Sequence, residues 1–318
     1  MCIRDSGVAA ENTTRLARLV LESLNGEDQS SQPLLAWLSA LAVEHALVLP
    51  AVPSASQARR VFERSLIGAL ADTQDATSVG YNLAALRRSA SAVRERLSQE
   101  QWNVIVRAEQ EFNRGCAICT EDGDYSPVEA LRVLETLSGH TAAMTGAQTD
   151  RMMRDDGWRL LSSGRHIERL GFLSSALGRA LDTGAVFDEG GFEALVALFD
   201  STITFHSHYQ QRRDIPALLD LLVLDRENPR SLGWVATTLR GRLSRLTGTA
   251  PGEVAGIALT VPDPQGWSLE ALCERDGSGR YPRLQALLED CSSASWQLSD
   301  NLSARYFTHS GEARYVGA

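Results

Sequence analysis

Apolar residues recur along this chain at three- and four-residue intervals, the spacing that puts them on one face of an α-helix. The run Arg15–Leu24 keeps that rhythm and ends at Asn25-Gly26, a helix stop. Leu34–Leu49 reads as a second helix closed by Pro50 and Pro53, and Ser56–Leu70, Ser78–Leu97 and Glu100–Phe112 continue the series. Asp122–Ser126 breaks it, after which Pro127 opens a helix reaching about Thr145. A long helix follows over about Asp150–Leu181, then Phe192–Tyr209, Ile215–Leu224, Pro229–Leu246, Tyr281–Glu289 and Ser293–Phe307. Thr249–Ser268 is richer in Gly, Pro and Val and reads as loop, with a short extended piece over Gly256–Val261 as the alternative. The expected fold class is all-α, a multi-helix bundle.

A weak repeat lies inside this pattern. Asp72, Ser78, Gly80, Leu86 and Arg87 recur 153 positions later as Asp225, Ser231, Gly233, Leu239 and Arg240. Each set follows a leucine-rich helix and opens a new one. In the second copy Asn228 suits the N-cap and Pro229 the first helical turn, and in the first copy Asp75 would cap. The chain is therefore expected to consist of two weakly related halves, 1–149 and 150–318, sharing one core.

The most informative stretch runs from Arg154-Asp155-Asp156-Gly157-Trp158 into Gly164-Arg165-His166-Ile167-Glu168-Arg169. On one continuous helix, Arg154, Arg165, Glu168 and Arg169 fall within about ±60° of a single line, while Leu160, Ile167, Leu170 and Leu177 lie opposite. A helix apolar on two faces is internal, and its charges are paired inside the protein. Arg165, Glu168 and Arg169 share one helical turn. Three roles fit them: a buried ion-pair network that fixes packing, which is the preferred reading; an anion or carboxylate pocket; or a general base at Glu168. Arg154 stands about 16 Å from Arg165 along such a helix, too far for both to grip one small group. Asp155 and Asp156 suit the positive end of the helix dipole. Asp225, Arg226 and Asn228 form a second candidate, either a capped turn or a group reaching Glu168 and Arg169 in space.

Composition narrows the chemistry. The 318 residues carry a net charge of −9, against a broad basic surface for nucleic acid. All 31 basic residues are arginine, so Schiff-base catalysis and a P-loop lysine are excluded. The five cysteines are few and scattered, pointing to a reducing, cytoplasmic setting. Cys116-Ala117-Ile118-Cys119 is a lone CxxC with no second pair, a poor zinc signal, and His206 and His208 would point apart on a helix. No metal, cofactor or membrane span is expected. Met1–Ser6 looks like translated adapter sequence, which implies that the native start is missing.

With those residues in view, the chain resembles the bacterial alpha-E family of helical proteins named for a Glu-Arg motif. The resemblance rests on Met153–Trp158, Gly164–Arg169, Leu224–Ser231 and Arg305–His309, and on Ala10–Leu16, which is similar to the continuation of a first Glu-Arg motif. Val8-Ala9 stands where that first Glu-Arg would fall, and His166 stands where the family has an aromatic such as Tyr. The resemblance implies association with circularly permuted ATP-grasp proteins and transglutaminase-like proteins, hence a helical accessory of a peptide-modification or amide-bond system. The competing reading is an enzyme or anion-binding protein centred on Arg165, Glu168, Arg169 and Asp225, with Arg226, Arg154 and Asp155 as further ligand-binding candidates.

Overall fold

A computed structural model describes residues 6–25, 30–73, 78–150, 152–210, 212–248 and 256–306. Among them every regular element is helical. The α-helices are α1 (Ser6–Asn25), α2 (Gln32–Glu44), α3 (Arg59–Ala69), α4 (Val79–Ala92), α5 (Gln99–Cys119), α6 (Pro127–Asp150) and α7 (Asp156–Asp182), followed by α8 (Glu189–Leu198), α9 (Thr202–Tyr209), α10 (Ile215–Leu219), α11 (Leu232–Leu246), α12 (Leu269–Leu272) and α13 (Pro282–Tyr306). The fold is all-α.

The 27-residue α7 is central. It packs against α13, α11, α1, α2 and α8. Ile167, Leu170, Leu173, Ala176, Leu177 and Ala180 are buried along it, the burial that its two apolar faces require. Gly171 lets α13 approach: a β-carbon there would lie 2.7 Å from Ser295 Oγ. On another side Trp37 of α2 donates its indole N–H to the carbonyl of Ala176 at 3.0 Å. One contiguous hydrophobic cluster runs from Ala10 to Leu302 through both halves of the chain.

Several element boundaries differ from the sequence reading. The helix expected from about Asp150 starts at Asp156, because Asp155 is its N-cap and accepts from the Trp158 N–H at 2.9 Å. Arg154 therefore precedes α7, and the helical spacing to Arg165 does not apply to it. The helix expected over Phe192–Tyr209 is two helices. Its break is a Schellman motif in which the Asp200 N–H bonds to Ala197 O and the Ser201 N–H to Val196 O. Asp200 takes the left-handed position, at φ +52°, that glycine commonly fills. Gly256–Thr260 is a 3₁₀ turn rather than an extended piece. The 307–309 end of the last quoted motif, the Asp75 cap and residues 249–255 and 1–5 lie outside the described residues.

The two turns of the sequence repeat share one hydrogen-bond design. Ser78 accepts from the Tyr81 N–H at 3.2 Å and donates to the carbonyl of Asp72; Ser231 accepts from the Trp234 N–H at 3.1 Å and donates to the carbonyl of Asp225. Ser231, not Asn228, is thus the N-cap of α11. Asn228 instead braces the turn, donating its side-chain amide to Leu221 O at 3.1 Å and accepting from the Arg230 N–H at 3.0 Å.

Two residues after each cap serine, a glycine touches the backbone of the preceding helix end. A β-carbon on Gly80 would come 2.8 Å from the Ala71 carbonyl carbon, and one on Gly233 would come 2.9 Å from Val223 O. Backbone cannot step aside as a flexible side chain can. Gly233→Ala is therefore expected to cost about 1–3 kcal/mol by overpacking. Gly241→Ala, in the same helix with open space around it, should gain up to about 1 kcal/mol from helix propensity. Urea unfolding of the two variants checks this; equal stabilities would show that the close approach carries no cost.

Candidate functional site

The Glu168–Arg169 dipeptide is divided between two environments. Adjacent residues on a helix point about 100° apart, and here that angle separates an open cleft from an ion-pair network.

Arg169 turns toward α1. Its guanidinium lies 3.9 Å from Glu11 Oε2, and both side chains are only 13% exposed. The other oxygen of Glu11 takes Arg15, one helical turn on, and Arg230, both at 3.2 Å. Arg230 also reaches Asp200 at 3.1 Å, Arg15 does so at 3.6 Å, and Arg15 donates to Leu198 O at 3.3 Å. Two carboxylates and three guanidiniums thus join α1, α7, the α8–α9 corner and the turn before α11. Burial alone would push the Glu11 carboxyl up, but Arg230, Arg169 and Arg15 together outweigh it and hold the group below its ordinary value. The left-handed Asp200 now has a reason: glycine would suit the backbone, but only a side chain can supply the carboxylate.

Glu168 faces the other way. It lines a half-open cleft of about 640 Å³ with Glu44, His45, Tyr81, Arg88, Phe172, Ser175 and Trp296, among others. Glu44 accepts from Ser175 and, at 3.0 Å, from Arg179. Trp296 is 57% exposed at this cleft. Its walls combine carboxylates, hydroxyls and aromatic faces, so it can hold a segment with both polar and apolar groups.

The remaining sequence candidates are placed elsewhere. Asp225 spends its side chain within its own turn, accepting from the N–H groups of Glu227 and Asn228 at 2.8 and 3.2 Å. Arg226 donates to Pro264 O at 2.9 Å. Neither joins Glu168 or Arg169; the residue of that motif which does reach the pair's surroundings is Arg230, through Glu11. Arg165 donates to the side-chain oxygen of Gln148, and Arg154 lies over the ring of Trp158. Asp155 caps α7 and pairs with Arg96. Glu11, Arg230 and Asp200 were not among the sequence candidates, although Glu11 and Arg230 both occur in the quoted motifs.

Cys116 and Cys119 are buried, free thiols one turn apart on α5. Burial pushes the Cys116 thiol up to about 12, which leaves it un-ionised and a poor nucleophile at neutral pH. Among the described residues no group of three or more His, Cys, Asp or Glu side chains is arranged to hold a metal ion, and no helix is long and apolar enough to cross a membrane.

This is a helical bundle whose central helix carries one Glu-Arg pair, its arginine locked to the first helix and its glutamate on a cleft. The chain belongs to the Alpha-E family, described as a predicted alpha-helical domain with a conserved ER motif; the family model matches residues 9–307. It is 28% identical to the uncharacterized protein Rv2567 of Mycobacterium tuberculosis over 171 residues, which are 52% of this chain and 19% of that protein. The uncharacterized protein Mb2597 of Mycobacterium bovis matches with the same identity and coverage. The matched stretch thus covers about a fifth of the length of these curated relatives. No solved structure matches the chain.

Proposed function

We propose that the protein is a non-catalytic, cytoplasmic helical accessory of a bacterial peptide-modification or amide-bond system, working with an ATP-grasp ligase and a transglutaminase-like protein. In this reading the Glu168 cleft receives a peptide segment from the substrate or from one of those partners. The observation that carries the reading is the division of the Glu-Arg pair. Arg169 holds α7 on α1 through Glu11, while Glu168 stands on the wall of the cleft, where a bound segment would pass. The cleft's mixture of Glu168, Arg88, Tyr81, Phe172 and Trp296 suits a peptide, which presents amide, charged and apolar groups within a few ångströms of one another. The mycobacterial relatives carry the matched region within much longer chains, as a module beside other domains would be.

The test is co-purification of the full-length protein with the ATP-grasp and transglutaminase-like proteins of its own organism. The wild-type protein is expected to retain at least one of them. The Glu168→Arg, Trp296→Ala double variant should retain at least tenfold less while unfolding at the wild-type urea midpoint. Absence of any co-purification, or undiminished capture by the double variant, would overturn the proposal.

A further inference from the structure

Arg154 and Arg242 lie over the ring of Trp158, where the start of α7 meets the last turns of α11, and Arg165 and Arg245 stand close enough to act on Arg242. The Arg242 guanidinium carbon stands 4.3 Å from the indole centroid and that of Arg154 stands 5.5 Å away. Gln148, near the end of α6, ties the group together. Its backbone carbonyl takes the Trp158 indole N–H at 3.2 Å and its side-chain oxygen takes Arg165. Arg242 Nε is buried and has no hydrogen-bond partner among the described residues. Burial lowers the Arg242 pKa, and Arg245, Arg154 and Arg165 lower it further; among the described residues no carboxylate opposes them. The nearby acids are already engaged, Asp155 by the Trp158 N–H and Arg96, and Asp156 by Arg159 at 2.6 Å. Among the described residues Arg154, Arg242 and Arg245 enter no ion pair. In a chain of net charge −9 this is a concentration of uncompensated positive charge.

We propose that this cluster is a binding site for a phosphoryl oxyanion carrying two or more negative charges, such as a diphosphate. Like charges held this close destabilise the folded chain unless a counter-charge joins them. Three guanidiniums with no carboxylate partner among the described residues call for a multivalent anion; a single carboxylate would leave most of the charge unmatched. Guanidinium groups stacked on an indole are held in place by their faces while their N–H edges remain available for paired bonds to phosphoryl oxygens. The first turn of α7 adds the positive end of its dipole. None of Arg154, Trp158, Arg242 or Arg245 lines the Glu168 cleft, so this site stands or falls independently of the proposed partner function.

Isothermal titration calorimetry of the full chain with inorganic pyrophosphate tests it. Wild type is expected to bind pyrophosphate at sub-millimolar concentration. R154Q and R242Q should each weaken binding about tenfold, and R213Q, which removes an arginine paired with Glu189 and Glu193, should not. Arg154 is exposed, so R154Q retains the fold even if R242Q does not. ADP supplies the same diphosphate from a nucleotide: equal affinity assigns the site to the phosphoryl group alone, and tighter binding assigns it to a nucleotide. Lack of pyrophosphate binding, citrate binding as tight as pyrophosphate, or wild-type affinity in R154Q would each overturn the proposal.

Discussion

Glu11→Ala is expected to lower the unfolding free energy by about 3–5 kcal/mol at pH 7, the scale on which one partner's loss from a buried ion network is felt. Among the described residues the glutamate is the only carboxylate that meets Arg169, Arg15 and Arg230 together. Removing it leaves the 13%-exposed Arg169 facing Arg230 and Arg15 with like charge. Arg230→Ala should cost less, because Arg230 and Asp200 are more exposed at 27% and 61%, and solvent screens their interaction. The double variant then reports the coupling. A coupling of about 1–3 kcal/mol between Glu11 and Arg230 is expected from their 3.2 Å contact. Urea unfolding gives all four free energies, and a Glu11→Ala loss below about 1 kcal/mol would show that the network is not a fastener.

The same network carries a pH signature. The Glu11 carboxyl is held below its ordinary value in the folded protein, so its contribution is complete above the unfolded-state value of about 4.3. It is lost as pH falls through the folded value, where the unfolded chain already binds the proton. Wild type and Glu11→Gln should therefore approach one another in stability only on strong acidification, below about pH 4.

Much of this architecture is legible in the sequence because it is local. Helical periodicity and the Pro127 start each act within a few residues of where they are written. The internal character of α7 also follows from its two apolar faces. What is not legible is pairing at distance. Glu11 and Arg230 are 219 positions apart, and nothing in either segment names the other. The helical wheel grouped Glu168 with Arg169 because both fall within a broad arc, yet α1 and the cleft divide that arc between them. The α8–α9 corner escaped for a different reason: Leu198-Phe199-Asp200-Ser201 contains neither Gly nor Pro, and its break depends on an aspartate accepting a left-handed backbone. The one signal there is Asp-Ser-Thr, a run of residues that favour helix caps over helix interiors.

Two arginines of the Trp158 region, Arg165 and Arg242, also act on a buried histidine, His166. His166 is 3% exposed, its Nδ1 stands 2.5 Å from the Ser162 carbonyl, and its ring lies 5.4 Å from that of Trp234. The carbonyl can only accept, so the neutral ring carries its proton on Nδ1. Burial depresses the imidazole pKa to about 3; the Ser162 hydrogen bond opposes this, and Arg169 and Arg165 of α7 and Arg242 of α11 reinforce it. The unfolded chain, by contrast, protonates this residue near pH 6.5. Between those two values the unfolded state binds the extra proton, so stability rises with pH at up to about 1.4 kcal/mol per unit and is complete above pH 6.5. Lowering the pH from 6.5 to 5 should cost wild type about 2 kcal/mol through this one residue, above the range where the Glu11 carboxyl titrates. His166→Phe keeps an aromatic ring against Trp234 and has no proton to gain, so its stability should be flatter by that amount over the same interval. Repacking the larger ring shifts the whole curve without tilting it. Urea unfolding of both proteins at half-unit pH steps makes the comparison, and parallel curves would mean that His166 is already protonated, or already exposed, in the native state.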